Sequence, residues 1–383
     1  MKHSICFFSV AAALLLTAGC HTGNVCSGDL GSSGKPKLKV GFYVDDGSRG
    51  GGVFHLAQLI YYSPQLEVTL LNGKDIREGK LDKLDMLLVP GGSSRRQFNS
   101  MKAEGAAKIR EFVEKGGKYV GVCAGYHCTL DRPDRIALLP YVYRKGVGGG
   151  KADLAVDINP KGAELLGIKS GRYKVRYSSG PIAEPGKPMA NARAEVLAVY
   201  KSMIGPVGRP PVNYIDSPAM LYGSRGKGKI IASSFHPEYR VATHPIFCGM
   251  IRAVSGVDIT PAFPWNDPRP LRVIFYTPNC SGKARIRRML ELDRRREIDL
   301  RLAGAADLDD GILEHADALV IPDGSEKLNR QLAKTHKAMF RRFMWRGGKI
   351  FVSGNASDAF EKSENLVVVP AGQSFVDHVL KIK

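Results

Sequence analysis

Short apolar runs recur along the chain, each followed by a stretch with a polar face that is long enough for a helix. Leu38-Lys39-Val40-Gly41-Phe42-Tyr43 reads as a buried strand, and Leu271-Arg272-Val273-Ile274-Phe275-Tyr276 reads as the same strand again. The segment Asp85–Ser93, with Val89-Pro90-Gly91-Gly92 at its end, has a counterpart in Asp317–Ser325. Ile109–Gly117 is an amphipathic helix ending in Gly-Gly, and Met339–Gly348 ends the same way. Lys118–Val122 then matches Lys349–Ser353. The offsets between partners are 233 (38 to 271), 232 (85 to 317) and 231 (118 to 349), so the register hardly drifts. Ordered blocks at a near-constant offset are the mark of an internal repeat.

Apolar strands alternating with helices predict an α/β fold with a doubly wound parallel sheet covered on both faces. Leu66–Leu71 and Ile298–Leu302 supply the second strand of each unit, and Val53–Tyr62 and Ala284–Arg295 the crossover helices before them. The arginines of 285–301 fall on the solvated side of that helix and its turn. The predicted organisation is a larger domain over 38–260, a linker over 261–270 with four prolines, and a smaller degenerate α/β domain over 271–383. The second domain omits the span corresponding to Asp131–Ser234.

The N-terminus follows a different pattern. Lys2 and His3 precede an apolar stretch from Ile5 to Leu16, and Thr17-Ala18-Gly19-Cys20 follows. A basic start, a short apolar core and small residues make an export signal over 1–19, too short to span a bilayer comfortably. The cysteine after Ala-Gly resembles a bacterial lipobox. That resemblance implies cleavage before Cys20, acylation of its thiol and of the new amino group, and a lipid-anchored protein of the cell envelope. Plain secretion is the alternative. His21–Lys37, rich in Gly, Ser and polar residues, reads as a flexible tether, so that 20–37 would join lipid to fold.

At 44% hydrophobic and 24% charged residues over 383 positions the composition is globular, which excludes wholesale disorder. The net charge of +19 becomes +18 without Lys2, of which +6 lies in 268–383 and +12 in the rest. The excess is therefore spread, and a nucleic-acid partner, which would need a focused patch, is not expected. Seven cysteines in this length exclude a disulfide-built miniprotein. Cys26, Cys248 and Cys280 show no recognisable pairing, and no cluster has the spacing of a metal site. No cofactor is implied.

Candidate chemistry lies at two strand ends. Gly121-Val122-Cys123-Ala124-Gly125-Tyr126 is a strand running into Gly-x-Cys-x-Gly, the spacing of a nucleophile elbow. Cys123 would sit at a helix N-terminus, with the Ala124 N–H facing any oxyanion formed at its sulfur. Gly91 and Gly92 let a second backbone N–H approach substrate. Downstream, Gly228–Phe235 is a strand that ends in His236-Pro237-Glu238. His236 would take the thiol proton and Glu238 would orient the imidazole.

These blocks, together with Tyr177-Ser178-Ser179-Gly180-Pro181, resemble the class I glutamine amidotransferase-like superfamily. Within it they are similar to the biotin–protein ligase N-terminal domain family, over about residues 38–258. The resemblance implies a flavodoxin-like sheet with the nucleophile at its carboxyl edge and puts Cys123, His236 and Glu238 on the triad positions. Glutamine hydrolysis and biotin transfer do not carry over, because neither an ammonia-using synthetase domain nor the ligase's catalytic domain follows. In the repeat, Cys123 aligns with Gly354 and Gly91 with Asp323, and no His-Pro-Glu recurs, so the second domain lacks the machinery.

Further candidates are weaker. Asp45, with Asp46, follows the first strand and could face a substrate amine or simply build a turn. Tyr126 belongs to the elbow and is a candidate for substrate contact. His127 is an alternative base or a helix-side histidine, and Cys128 a core residue rather than a redox partner of Cys123. Gly146–Gly150 is a lone glycine loop, and Gly223–Gly228 a hairpin turn. Three functions compete: a cysteine-dependent hydrolase of a small or peptide-like amide at the envelope, an inactive binding scaffold, and a structural envelope protein working through its basic surface.

Overall fold

The computed structural model describes residues 36–205, 212–262, 271–277, 282–295, 297–322, 326–370 and 373–382. The export signal, Cys20, Cys26, nearly all of the tether, most of the proline linker and Cys280 lie outside these residues. Residues 36–383 form one compact unit.

The first part of the unit carries β1 (Leu38–Tyr43), β2 (Leu66–Leu71), β3 (Met86–Val89), β4 (Lys118–Val122), β5 (Tyr141–Tyr143), β6 (Lys151–Ile158), β7 (Gly171–Ser178), β8 (Ala183–Pro185), β9 (Ala192–Tyr200), β10 (Pro218–Arg225) and β11 (Gly228–Ser233). Nine of these form one sheet in the order β2-β1-β3-β4-β11-β10-β9-β6-β7, and β5 pairs with β8 apart from it. Strands β2, β1, β3, β4 and β11 run parallel. The extension β10-β9-β6-β7 is antiparallel. The second part carries β12 (Leu271–Tyr276), β13 (Ile298–Ala303), β14 (Ala318–Ile321), β15 (Lys349–Ser353) and β16 (Leu366–Val369), all parallel in the order β13-β12-β14-β15-β16. Renumbered within each part, both parallel blocks have the flavodoxin order 2-1-3-4-5. The fold is thus the doubly wound α/β sheet expected from the sequence, built twice.

The helices are α1 (Gly51–Tyr61), α2 (Gly73–Arg77), α3 (Ser94–Glu114), α4 (Ala124–Thr129), α5 (Pro160–Leu166), α6 (His244–Ser255), α7 (Lys283–Asp293), α8 (Ala305–Asp309), α9 (Glu326–Thr335), α10 (Lys337–Trp345) and α11 (Phe375–Val379). Helix α3 starts 15 residues before Ile109, with the Ser93 hydroxyl accepting from the Arg96 N–H, and breaks at Lys102 (φ 60°, ψ 173°). The apolar periodicity that marks its second half is interrupted there. No helix among the described residues is long and apolar enough to cross a membrane.

Alternation within the buried strands sorts side chains into cores. Val40, Phe42, Met86 and Leu88 face one core, while Tyr43, Leu87 and Val89 face another. The first of these cores continues into the second sheet through Val273, Phe275 and Val320, whereas Ile274 and Leu319 face a third. Helix α1 supplies Val53, Phe54, Leu56, Leu59 and Ile60 to the shared core. Each such fully buried apolar side chain contributes about 1.5–3 kcal/mol.

Candidate active site

Cys123 follows β4 with φ 52° and ψ −99°, a backbone region that non-glycine residues rarely occupy. Its N–H donates to the Ser233 carbonyl at the end of β11 (2.7 Å), and its carbonyl accepts from the His127 N–H (3.0 Å). The flanking glycines explain how the turn closes. A Cβ on Gly121 would stand 2.7 Å from the Gly125 backbone, and one on Gly125 would stand 2.1 Å from the Val89 carbonyl oxygen. Strand and helix cross too closely for any side chain, and the strained turn lifts the thiol to the sheet edge.

His236 comes to that edge from β11, the strand beside β4. Its N–H donates to the Arg176 carbonyl on β7 (2.8 Å), which fixes the backbone from the antiparallel extension. Its Nδ1 lies 2.7 Å from Oε1 of Glu238. Glu238 is fully buried, and its Oε2 has no hydrogen-bond partner among the described residues. With Nδ1 on the carboxylate, Nε2 is the ring nitrogen that Glu238 does not engage, and Cys123 is near enough to act electrostatically on the ring. Burial alone would push the His236 pKa down. The Glu238 carboxylate and the Cys123 sulfur outweigh burial and hold it well above the usual histidine value.

Gly91 packs over both groups: a Cβ there would stand 2.8 Å from Cε1 of His236 and 3.4 Å from Cβ of Cys123. Gly92 has φ 135° and no room for a side chain, since a Cβ would stand 1.9 Å from the Gly47 carbonyl oxygen. The bridge between 47–49 and 91–93 uses the Ser93 N–H to Gly47 (2.8 Å) and the Arg49 N–H to Gly91 (3.4 Å), so the Gly92 N–H stays outside it. Ala124, which follows Cys123, opens α4, so its N–H lies in the first turn, where helical N–H groups lack an intrahelical partner. The sulfur itself lies 3.8 Å from the Ser178 carbonyl at the end of β7.

Two of the predicted site residues are placed elsewhere. The Asp45 carboxylate accepts from the N–H groups of Gly73 (2.7 Å) and Asp46 (2.8 Å) and from the Ser100 hydroxyl. It ties the end of β1 to α2 and α3, which is the turn role, and its oxygens are taken by internal donors. Tyr126 is fully buried, with its hydroxyl donating to the Pro218 carbonyl (3.4 Å), so it does not reach a substrate. His127 turns to the Ser94 hydroxyl (3.0 Å) and the Tyr143 ring (centroids 4.7 Å apart). Burial first, then Arg135 and Arg132, lower its pKa to about 4. Cys128 is buried in the core opposite the one that holds Cys123, 3.6 Å from Oε1 of Gln97.

Sequence reasoning missed three contributors. A Cβ on Gly52 would stand 2.3 Å from Oε1 of Glu238 and 3.1 Å from Nδ1 of His236, so the start of α1 packs on the dyad. Tyr239 accepts from the Gly52 N–H (2.9 Å) and stands edge-on to His236 (5.3 Å between centroids). Ser178 meets the sulfur through its carbonyl. The signals available were the Tyr177–Pro181 block for Ser178 and, for Gly52, the run Gly50-Gly51-Gly52 after the first strand, because three glycines opening a helix make sense only where backbone approaches something closely.

Known proteins resemble this chain in part. An uncharacterized protein of Chlamydia muridarum (strain MoPn / Nigg) is 25% identical over 203 residues, which is 49% of this chain and 72% of that protein. Among solved structures, PurLQS from Thermotoga maritima is similar at 15% identity and a TM-score of 0.40, covering 56% of this chain and 98% of the other. The Trypanosoma brucei CTPS glutaminase domain with bound acivicin is similar at 14% identity and a TM-score of 0.39, covering 59% and 97%. Residues 43–131, which hold Gly91, Gly92 and the Cys123 elbow but not His236 or Glu238, match the family model of the biotin-protein ligase N-terminal domain.

Proposed function

We propose that the protein is a thiol-dependent hydrolase of a small or peptide-like amide, with Cys123 as nucleophile, His236 as proton carrier and Glu238 as its orienting carboxylate. The observation that carries this reading is the 2.7 Å contact from Nδ1 of His236 to buried Glu238, with Gly91 packed against both that ring and the Cβ of Cys123. The Cys123 thiolate attacks the amide carbon, and the carbonyl electrons move to an oxygen held by the Ala124 and Gly92 N–H groups. Imidazolium at His236 gives its proton to the leaving nitrogen as the C–N bond breaks. Water then attacks the thioester, His236 takes a proton from it, and the carboxylic acid and the thiolate separate. The lipobox-like N-terminus supports a site of action at the cell envelope, anchored through Cys20. Incubation of the intact protein with electrophilic amide probes, followed by peptide mapping, tests the assignment. Modification at Cys123 that is lost in His236→Gln supports it, and modification elsewhere removes it.

A second reading keeps the scaffold and drops turnover. It is favoured by the near-complete burial of Cys123 (6% exposed) and by the Ser178 carbonyl against its sulfur. A folded protein whose Cys123 resists iodoacetamide at neutral pH would favour that reading.

A further inference from the structure

One helix touches both the catalytic dyad and the second sheet. Along α1 the positions 51, 54, 58 and 61, spaced by three, four and three, form a stripe facing the second part of the unit. A Cβ on Gly51 would stand 3.3 Å from Oγ1 of Thr277, just past β12. The rings of Phe54 and Phe275 are 5.6 Å apart. Gln58 donates from Nε2 to Oδ2 of buried Asp293 on α7 (3.2 Å). Tyr61 lies beside Arg287 and Arg294 of the same region. On its other side, α1 presents Gly52 to Glu238 and His236, and His55 to Tyr239 (centroids 4.9 Å apart). A Lys283–Asp75 ion pair adds a further link between the two parts.

The start of α1 lacks a side-chain cap and begins with three glycines, so nothing intrinsic to its first turn fixes where it stops. Its position has to come from packing. On the first sheet's side that packing is the dyad itself. On the other side it is Thr277, Phe275 and Asp293.

We propose that the second part of the chain, which carries Gly354 where Cys123 aligns, is a built-in positioning partner for the active site: through α1 it presses Gly52 against Glu238 and so sets the distance between His236 and Cys123. This deepens the hydrolase reading and rests on it for its consequence in turnover, but it concerns the geometry of Cys123 whether or not turnover occurs. Phe275, Thr277 and Asp293 are positioning residues in this account. None of them touches the sulfur or the imidazole in the contacts above.

The test is the pH profile of Cys123 alkylation by iodoacetamide, read by mass spectrometry on the full-length protein. The other titratable groups around the dyad, His55, His244, Arg176 and Tyr239, are unchanged in every variant. In Phe275→Ala, and more mildly in the isosteric Asp293→Asn, the rate near neutral pH is expected to fall by about tenfold and the profile to move to higher pH, as the thiol loses its paired imidazole. Phe275→Leu should restore most of it. Trp345→Ala, in the same part but 87% exposed, should leave the profile where it is. If Phe275→Ala does not fold, Asp293→Asn carries the test alone. An unchanged profile in the folded variants overturns the proposal. Failure of the hydrolase reading shows separately, as turnover that survives Cys123→Ala.

Discussion

Gly52 lies directly against Glu238: a Cβ added to the glycine would stand 2.3 Å from the carboxylate oxygen that holds His236. The two residues are 186 positions apart, and their contact closes the back of the site. Gly52→Ala is therefore expected to displace the carboxylate rather than be absorbed. Overpacking of this kind costs about 1–3 kcal/mol of stability. Urea unfolding should show that loss, and alkylation of Cys123 at neutral pH should slow with it. A variant that keeps both values would mean that Glu238 has another place to sit.

Glu238→Gln keeps the shape of the side chain and removes its charge. The imidazolium of His236 then loses its strongest stabilising neighbour inside a buried site. The expected result is an amide-hydrolysis rate lower by about 100-fold or more, measured once a probe substrate is in hand. Retained activity would show that the carboxylate does not orient the ring.

The histidines should titrate on opposite sides of the ordinary value. His236 is held well above it, whereas burial first, then His244 and His236, bring His55 to about 4, and His127 also lies at about 4. A histidine raised by folding contributes stability in full below its unfolded value of about 6.5 and loses it as pH climbs through the folded value. His236→Gln should thus cost most at about pH 6 and progressively less in alkaline buffer. For His55 and His127 the sign reverses: the unfolded chain takes up protons first, so stability falls as pH drops from about 6.5 towards 4. Imidazole NMR titrations of the single histidine variants check all three, and a His127 midpoint near 6.5 would contradict its buried placement.

Tyr126→Phe is the counterpart expected to do little. Its hydroxyl gives one hydrogen bond to the Pro218 carbonyl, and losing one such bond costs about 0.5–1.5 kcal/mol. The urea midpoint should move slightly while the alkylation profile of Cys123 stays fixed. A changed profile would return Tyr126 to the site.

For the N-terminus, the expectation is chemical. The mature protein should partition with membranes and carry acyl groups on Cys20, with residues 1–19 removed, and Cys20→Ser should appear in the soluble fraction. Intact mass measurement of the wild-type protein decides it.

The parallel strands were legible in the sequence because burial on both faces forces continuous apolar runs. The limits read for β1, β2 and β4 coincide with those in the structure. Cys123, His236 and Glu238 could be read because each motif stands at the end of such a run. Of the antiparallel extension, only the hairpin turn at Gly223–Gly228, between β10 and β11, was legible. In β6 the sequence Lys-Ala-Asp-Leu-Ala-Val-Asp-Ile is only partly buried, and its small residues blur the alternation. For Gly52 the glycine run signals a close backbone approach, but Glu238 as its partner could not be read, since glycine has no side chain to declare one. For Asp45 the structure selects the turn reading over the substrate one, and Tyr126 was placed at the substrate in error, because a place at a sheet edge or in an elbow does not say which way a side chain turns.

The extension also bears on why the candidate site occurs only once in the repeat. Arg176 and Ser178 belong to its outermost strand, β7, and their carbonyls hold the backbone of His236 and meet the sulfur of Cys123. Among the described residues, no strand pairs with the second sheet beyond β16. A cysteine grafted at position 354 would have no counterpart of β7 among the described residues, and should behave as an ordinary thiol. The candidate site thus depends on the added strands as much as on the repeated core.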